Sequence, residues 1–192
     1  MKLGTHNSGT GGKLLWWLTP FKKILDLTSK CQDRTIEEQA KDGVTLFNLQ
    51  VTRYKGTWVF SHGLAIYREE LIPTLHYLMR QNKTIYFQLF LDDNLFLGQP
   101  CEAFRELVKE IKELIKESKL KLHYAWIEGS KEYIYGEPIA LEEHYWSLGW
   151  AKCNAESILD CFPLPKRHAV RYNKGYKENC KTEYLMLDYY DK

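Results

Sequence analysis

The sequence predicts an α/β fold with a mostly parallel sheet. Three observations carry that expectation: helix-periodic segments lead into β-rich runs three times in succession, the longest helical segment is amphipathic, and no repeat or linker divides the chain.

Thr35-Ile36-Glu37-Glu38 is a capping-box pattern that opens a short helix, and Asp42-Gly43 supplies its stop. From Val44 to Thr52 apolar and polar residues alternate, which predicts a strand. On that strand Asn48, Gln50 and Thr52 share one face, and a face this polar inside a sheet points to a site. Trp58-Val59-Phe60 is a second short strand that ends at Ser61-His62-Gly63, and Arg68 to Gln81 reads as a helix with Pro73 near its first turn. Thr84 to Leu91 is a strongly β run that terminates in Asp92-Asp93-Asn94. Between Cys101 and Lys119, Phe104, Leu107, Val108, Ile111, Leu114 and Ile115 recur at helical spacing while Glu and Lys cover the other face. Leu120 to Trp126 follows as a strand. The pattern weakens from Ile127 to Thr182, where helices are expected over 141–150 and 155–161 and a turn at Tyr172 to Tyr176. The chain ends on a strand, Tyr184 to Tyr190, with Asp188 near its end.

Length and composition bound the function. A chain of 192 residues, 44% apolar and 27% charged, is expected to form one globular domain over 1–192. A net charge of +2 with dispersed lysines argues against a nucleic-acid partner. The five cysteines form no CxxC pair and read as reduced thiols. Neither a secretory leader pattern nor an apolar run of ~18 residues is visible, so a cytoplasmic or membrane-peripheral protein is expected. Lys13 to Leu25 holds Trp16 and Trp17 among three lysines. That segment fits either a buried helix closing the core or an interfacial segment in which both tryptophans touch a membrane.

The chemistry concentrates in Gly4-Thr5-His6-Asn7-Ser8, a small-residue stretch expected to be a tight loop at a rim, and in His62 at a strand end. Two histidines suit paired general acid–base catalysis near neutral pH. Cleavage of a phosphodiester by an internal hydroxyl needs such a pair, with a cation on the phosphoryl oxygens. His76, His123 and His144 read as structural, and His168 as a surface loop residue.

These motifs, with Gln32, Thr35-Ile36-Glu37-Glu38-Gln39, Gly43-Val44 and Phe47-Asn48-Leu49-Gln50-Val51, resemble in order and spacing the X region of phosphatidylinositol-specific phospholipases C. The resemblance covers roughly residues 3–64, and Asp188 looks like the acid on the last barrel strand of the bacterial, metal-independent members. It implies a TIM-type barrel, abridged because the chain is short and its first strand nearly absent, with the site at the C-terminal strand ends. It also implies that His6 is the base on an inositol hydroxyl, oriented by Asp188, and that His62 is the acid on the departing diacylglycerol oxygen. The first product would be a cyclic phosphodiester and the partner a phospholipid surface. The sequence departs from the family at two places: Asn7 stands where the bacterial pattern has Asp, and Gln50 where it has the arginine that faces phosphate. Asn48, Gln50 and Arg53 are then the candidate substrate contacts, with strand parity placing Arg53 on the opposite face. Neutral amides at Asn48 and Gln50 are poor ligands for a hard dication, so no calcium site and no cofactor are expected. Two alternatives stay open: a lipid- or phosphate-binding module that has lost catalysis, and a metal-dependent phosphodiesterase holding its cation on Asp92 or Asp93.

Overall fold

The computed structural model describes residues 1–92, 96–127, 132–144 and 165–191. Its centre is one strongly curved sheet. In order across it run β7 (Glu132–Tyr135), β6 (Leu120–Ile127), β5 (Ile85–Leu91), β2 (Leu46–Tyr54), β1 (Lys2–Thr5), β9 (Tyr184–Leu187) and β8 (Leu141–His144). The pairings β1–β2, β1–β9, β2–β5, β5–β6 and β8–β9 are parallel, and β6–β7 is antiparallel. A hairpin of β3 (Thr57–His62) and β4 (Ala65–Glu70) extends from the far half of β2. This is an incomplete TIM-type barrel, as the resemblance implies. One expectation is corrected: the first strand is present. Four residues suffice for β1 because it is clamped on both edges, Gly4 beside Leu46 and Met186.

Pleat parity divides the sheet into two faces. Phe47, Leu49 and Val51 of β2 and Leu185 and Leu187 of β9 face outward into the main core. There α3 (Leu71–Met79) and α4 (Cys101–Ile115) cover them with Leu71, Leu75, Leu78, Phe104, Leu107, Val108 and Ile111. Inside the curve, Leu46, Tyr184 and Met186 form a small apolar floor. Above that floor the inward residues turn polar. Counting two residues on from the register Gly4–Leu46–Tyr86 puts His6, Asn48 and Gln88 in one layer, and counting on from Gly4–Met186 adds Asp188.

Helix α2 (Ile36–Lys41) starts on the predicted capping box, with the Glu38 amide donating to Thr35 Oγ1 and the Thr35 amide to Glu38. The helix expected from Arg68 starts at Leu71 instead. Residues 68–70 finish β4, and Pro73 sits in the first helical turn where its missing N–H costs nothing. Two expectations in the C-terminal third are overturned. Residues 141–144 are strand β8, not helix, because Leu141 to His144 pair in register with β9. Residues 172–176 continue α5 (Pro165–Asn179) rather than turning. Gly175 in a helix costs about 1 kcal/mol. Packing offsets it: Tyr176 stacks on His144 with ring centroids 4.1 Å apart, and Asn173 donates to the carbonyls of Asp188 and Tyr189. His168 is accordingly buried beside Tyr172, not in a surface loop. The helix expected over 155–161 lies outside the described residues.

Phe104 is fully buried and meets Trp58 edge to face at 5.9 Å. Phe104→Ala should lower unfolding free energy by about 3–5 kcal/mol. Chemical denaturation checks this; a loss under about 1 kcal/mol would show that α4 is not part of the cooperative core.

Candidate active site

The loop after β1 is not at a rim, as its composition suggests, but buried. Thr5, Asn7, Ser8 and Thr10 are all shielded from solvent. Polar residues tolerate this because most of their polar atoms find a partner, Asn7 Oδ1 being an exception among the described residues. Ser8 Oγ donates to the Thr5 carbonyl at 2.7 Å, and Thr10 Oγ1 donates to the Asn7 carbonyl at 2.7 Å while accepting from the Cys31 amide at 2.9 Å. Gln39 Nε2 donates to the Ser8 carbonyl at 2.8 Å. Small residues let the loop come this close: a Cβ on Gly11 would lie 1.7 Å from the Arg34 carbonyl oxygen. Asn7 takes the left-handed conformation, φ 44° and ψ 52°, which Asn adopts more readily than most residues.

The strand register delivers the site. His6 follows β1 and Asp188 follows β9, and these parallel neighbours bring His6 Nδ1 to 2.8 Å from Asp188 Oδ1. Gln32 locks the pair of strand ends, donating from Nε2 to the carbonyls of His6 and Leu187, both at 2.9 Å. On the other side of the ring Asn7 Nδ2 donates to His6 Nε2 at 3.1 Å. An amide donor at Nε2 and a carboxylate at Nδ1 select one tautomer, with the proton on Nδ1 and the lone pair on Nε2. That is the form a general base needs.

His62 arrives from β3. Val51 pairs with Leu91 of β5 on one edge of β2 and with Phe60 of β3, so β3 occupies the edge that β1 has left. The His62 and His6 ring centroids are 6.2 Å apart, at 80° to one another. His62 Nδ1 donates to the Ser29 carbonyl at 2.7 Å, which turns Nε2 outward. Burial of the ring, and then the neighbouring His6, lower the His62 pKa to about 4 against the pull of the Ser29 bond and the Asp188 charge.

The remaining predicted residues separate cleanly. Asn48 accepts from the Asn7 amide at 3.3 Å and donates to Gln88 Oε1 at 2.9 Å, and Gln88 reaches Glu143 at 3.3 Å. Gln50 is half-buried on the same inward face, one layer higher. Arg53 is exposed and on the opposite face, beside Trp58, where its odd parity puts it. Trp16 is 72% exposed, whereas Trp17 is half-buried against the core and meets Phe96 edge to face at 5.5 Å. Asp92 is buried at the end of β5 and joins no group of three metal-ligating side chains among the described residues; Asp93 lies outside them.

Three contributors escaped the sequence reading. The Ser29 carbonyl and Cys31 leave no pattern, since one is backbone and the other an isolated thiol. Gln88 was legible as the one polar residue inside the apolar run from Ile85 to Leu91.

No protein-family model and no curated protein sequence matches the chain. Solved structures do. A pentafluoro-Phe-containing phosphatidylinositol-specific phospholipase C from Staphylococcus aureus aligns over 98% of this chain and 85% of its own, with TM-score 0.59 and 16% identity. The phosphatidylinositol-specific phospholipase C of Listeria monocytogenes aligns over 98% and 87%, with TM-score 0.62 and 11% identity. A second S. aureus structure, from work on modulating membrane binding, aligns over 98% and 85% at TM-score 0.57 and 17% identity. The chain therefore has the incomplete-barrel fold of bacterial phosphatidylinositol-specific phospholipases C.

A histidine ordinarily titrates near 6.5, so between pH 6.5 and about 4 the unfolded chain binds a proton at His62 that the folded one refuses. Stability therefore rises with pH across that window and is lost as pH falls through it, by roughly 3 kcal/mol at ~1.4 kcal/mol per unit. Nitrogen-detected NMR should find His62 titrating near pH 4 and the His6 proton on Nδ1, and His62→Gln should flatten the pH dependence of unfolding. A His62 that titrates near 6.5 contradicts this account.

Proposed function

We propose that this chain cleaves the phosphodiester of a phosphoinositide-type lipid by paired general acid–base catalysis. The observation that carries the reading is the approach of the two histidine rings to 6.2 Å, with Asp188 behind one of them. His6 Nε2 takes the proton of the inositol hydroxyl next to the phosphate, and that oxygen attacks phosphorus. The bond from phosphorus to the glycerol oxygen breaks, and His62 gives the departing oxygen its proton. A cyclic phosphodiester and diacylglycerol are the products. Asp188 holds the Nδ1 proton and stabilises the imidazolium that forms on His6.

A pKa of about 4 leaves His62 neutral in the free protein. The anionic phosphodiester supplies the missing bias, because a negative charge beside the ring favours its protonated form. Gln50 offers the phosphoryl oxygens a neutral donor where the family pattern has a guanidinium, so transition-state charge is met by weaker bonds. A second reading, binding without turnover, draws on that same substitution and on the amide at Asn7. No step needs a metal ion.

Membrane contact fits the segment after the His6 loop. A 3₁₀ turn (Trp16–Phe21) runs into α1 (Lys22–Thr28), and Trp16, Phe21, Ile24 and Leu27 are all exposed beside Lys22, Lys23 and Lys30. Exposed apolar side chains ringed by lysines suit the interface of an anionic bilayer. Among the described residues no helix is long and apolar enough to cross one.

Turnover of phosphatidylinositol in vesicles and of a soluble inositol phosphodiester should fall about 10²–10⁴-fold in His6→Ala and in His62→Ala, and should survive chelator. Equal rates in all three proteins would end the catalytic reading, and binding without turnover would favour the second one. Trp16→Ala combined with Ile24→Ala should weaken vesicle binding about tenfold or more while sparing the soluble substrate. Unchanged vesicle binding would remove this segment from the interface.

A further inference from the structure

Cys31 has no part in the phosphodiesterase reading. Cys31 is 1% exposed, yet its sulfur points into the space between the two histidines, 3.8 Å from His62 Nδ1 and 3.7 Å from Asn7 Nδ2. A ligand atom from each of His6, Cys31 and Asp188 lies within 4.8 Å of the others, and among the described residues no other group of three metal-ligating side chains is this close. We propose that His6, Cys31, Asp188 and His62 form a four-donor site for Zn²⁺ or a similarly soft divalent ion, and that the bound ion shuts off the acid–base pair.

The geometry suits a tetrahedral ion. Zinc bonds of about 2.0 Å to nitrogen or oxygen and about 2.3 Å to sulfur set donor atoms about 3.3–3.6 Å apart. The protein has His6 Nδ1 and Asp188 Oδ1 at 2.8 Å, Cys31 Sγ and His62 Nδ1 at 3.8 Å, and the first three donors within 4.8 Å. The fourth donor, His62 Nδ1, reaches the ion only by leaving its bond to the Ser29 carbonyl. One thiol, two imidazoles and one carboxylate select a borderline-soft ion over Ca²⁺ or Mg²⁺, which prefer an all-oxygen shell. Charge also balances: Zn²⁺ with one thiolate and one carboxylate is neutral, which a buried site favours.

Loading releases one proton to solvent, that of the Cys31 thiol, and changes no oxidation state. Burial first, and then the Asp188 charge, hold that thiol protonated in the metal-free protein, so only an ion that pays this cost by bonding sulfur will load. Coordination through Nδ1 moves the proton of each histidine to its Nε2, breaks the His62 bond to the Ser29 carbonyl, and removes the His6 lone pair that the base uses. His62, coordinated through Nδ1, can no longer become the imidazolium that serves as acid. The inhibitory half of the proposal rests on the paired-histidine reading; the binding half does not.

The test uses the full chain after chelator treatment. Titration with Co²⁺ should give tetrahedral d–d absorption and a thiolate-to-metal charge-transfer band, and Zn²⁺ should displace the Co²⁺ while Ca²⁺ leaves it in place. Cys31→Ser should abolish the charge-transfer band and weaken Zn²⁺ binding about 100-fold or more. Circular dichroism checks its fold, and His62→Asn, which should weaken Zn²⁺ binding comparably, serves as the second variant. No saturable binding, Co²⁺ spectra without a thiolate band, or Zn²⁺ affinity unchanged by these substitutions would each overturn the site. In the turnover assay Zn²⁺ should stop cleavage and chelator restore it; turnover that persists in saturating Zn²⁺ overturns the inhibitory half. A protein that binds the ion but never turns over would refute the phosphodiesterase reading and leave the metal site standing.

Discussion

The contact between His6 and Asp188 joins two residues 182 positions apart, and much of the structure exists to make it. Both residues stand one step past the ends of parallel strands whose pairing runs from Lys2–Tyr184 to Thr5–Leu187. Neither strand is more than four residues long. Their alignment is enforced from outside by β2 and β8, and at the top by Gln32, which bonds the last carbonyl on each side. A slip of one residue would turn His6 toward the outer core and bury an imidazole among leucines. The register is thus tied to the His6–Asp188 contact and to the stability of the core together.

The inward face shows the same coupling. Its floor is apolar, and one layer up every position from Asp188 through His6, Asn48 and Gln88 is polar and hydrogen-bonded. Such a layer is costly unless complete, since each unpaired buried group forfeits its water without replacement. The network fixes the His6 tautomer from both sides of the ring. Asn7 therefore does more than fill the place of an acid: its amide points a donor at Nε2, which keeps the lone pair there.

Local pattern carried much of this. The β2 alternation put Asn48, Gln50 and Thr52 on one face and Arg53 on the other, and the capping box placed α2. Parity and position placed His62 and Asp188 at strand ends. Long-range pairing decided what local pattern missed. Leu141 to His144 has helical-looking residues but becomes a strand because β9 offers an open edge. Tyr172-Asn173-Lys174-Gly175 looks like a turn, yet Asn173 is fixed by the carbonyls after β9 and the helix runs on. The loop around His6 looked exposed because composition cannot reveal that backbone and side-chain partners from residues 31–39 would seal it.

The account stands or falls on whether the barrel layer performs a phosphoryl transfer to an internal hydroxyl. Phosphorus NMR of phosphatidylinositol vesicles incubated with the protein tests this directly. A five-membered cyclic phosphodiester signal should appear first, and any monoester only later. A monoester that forms with no cyclic species before it, or spectra that never change, would contradict the paired-histidine mechanism.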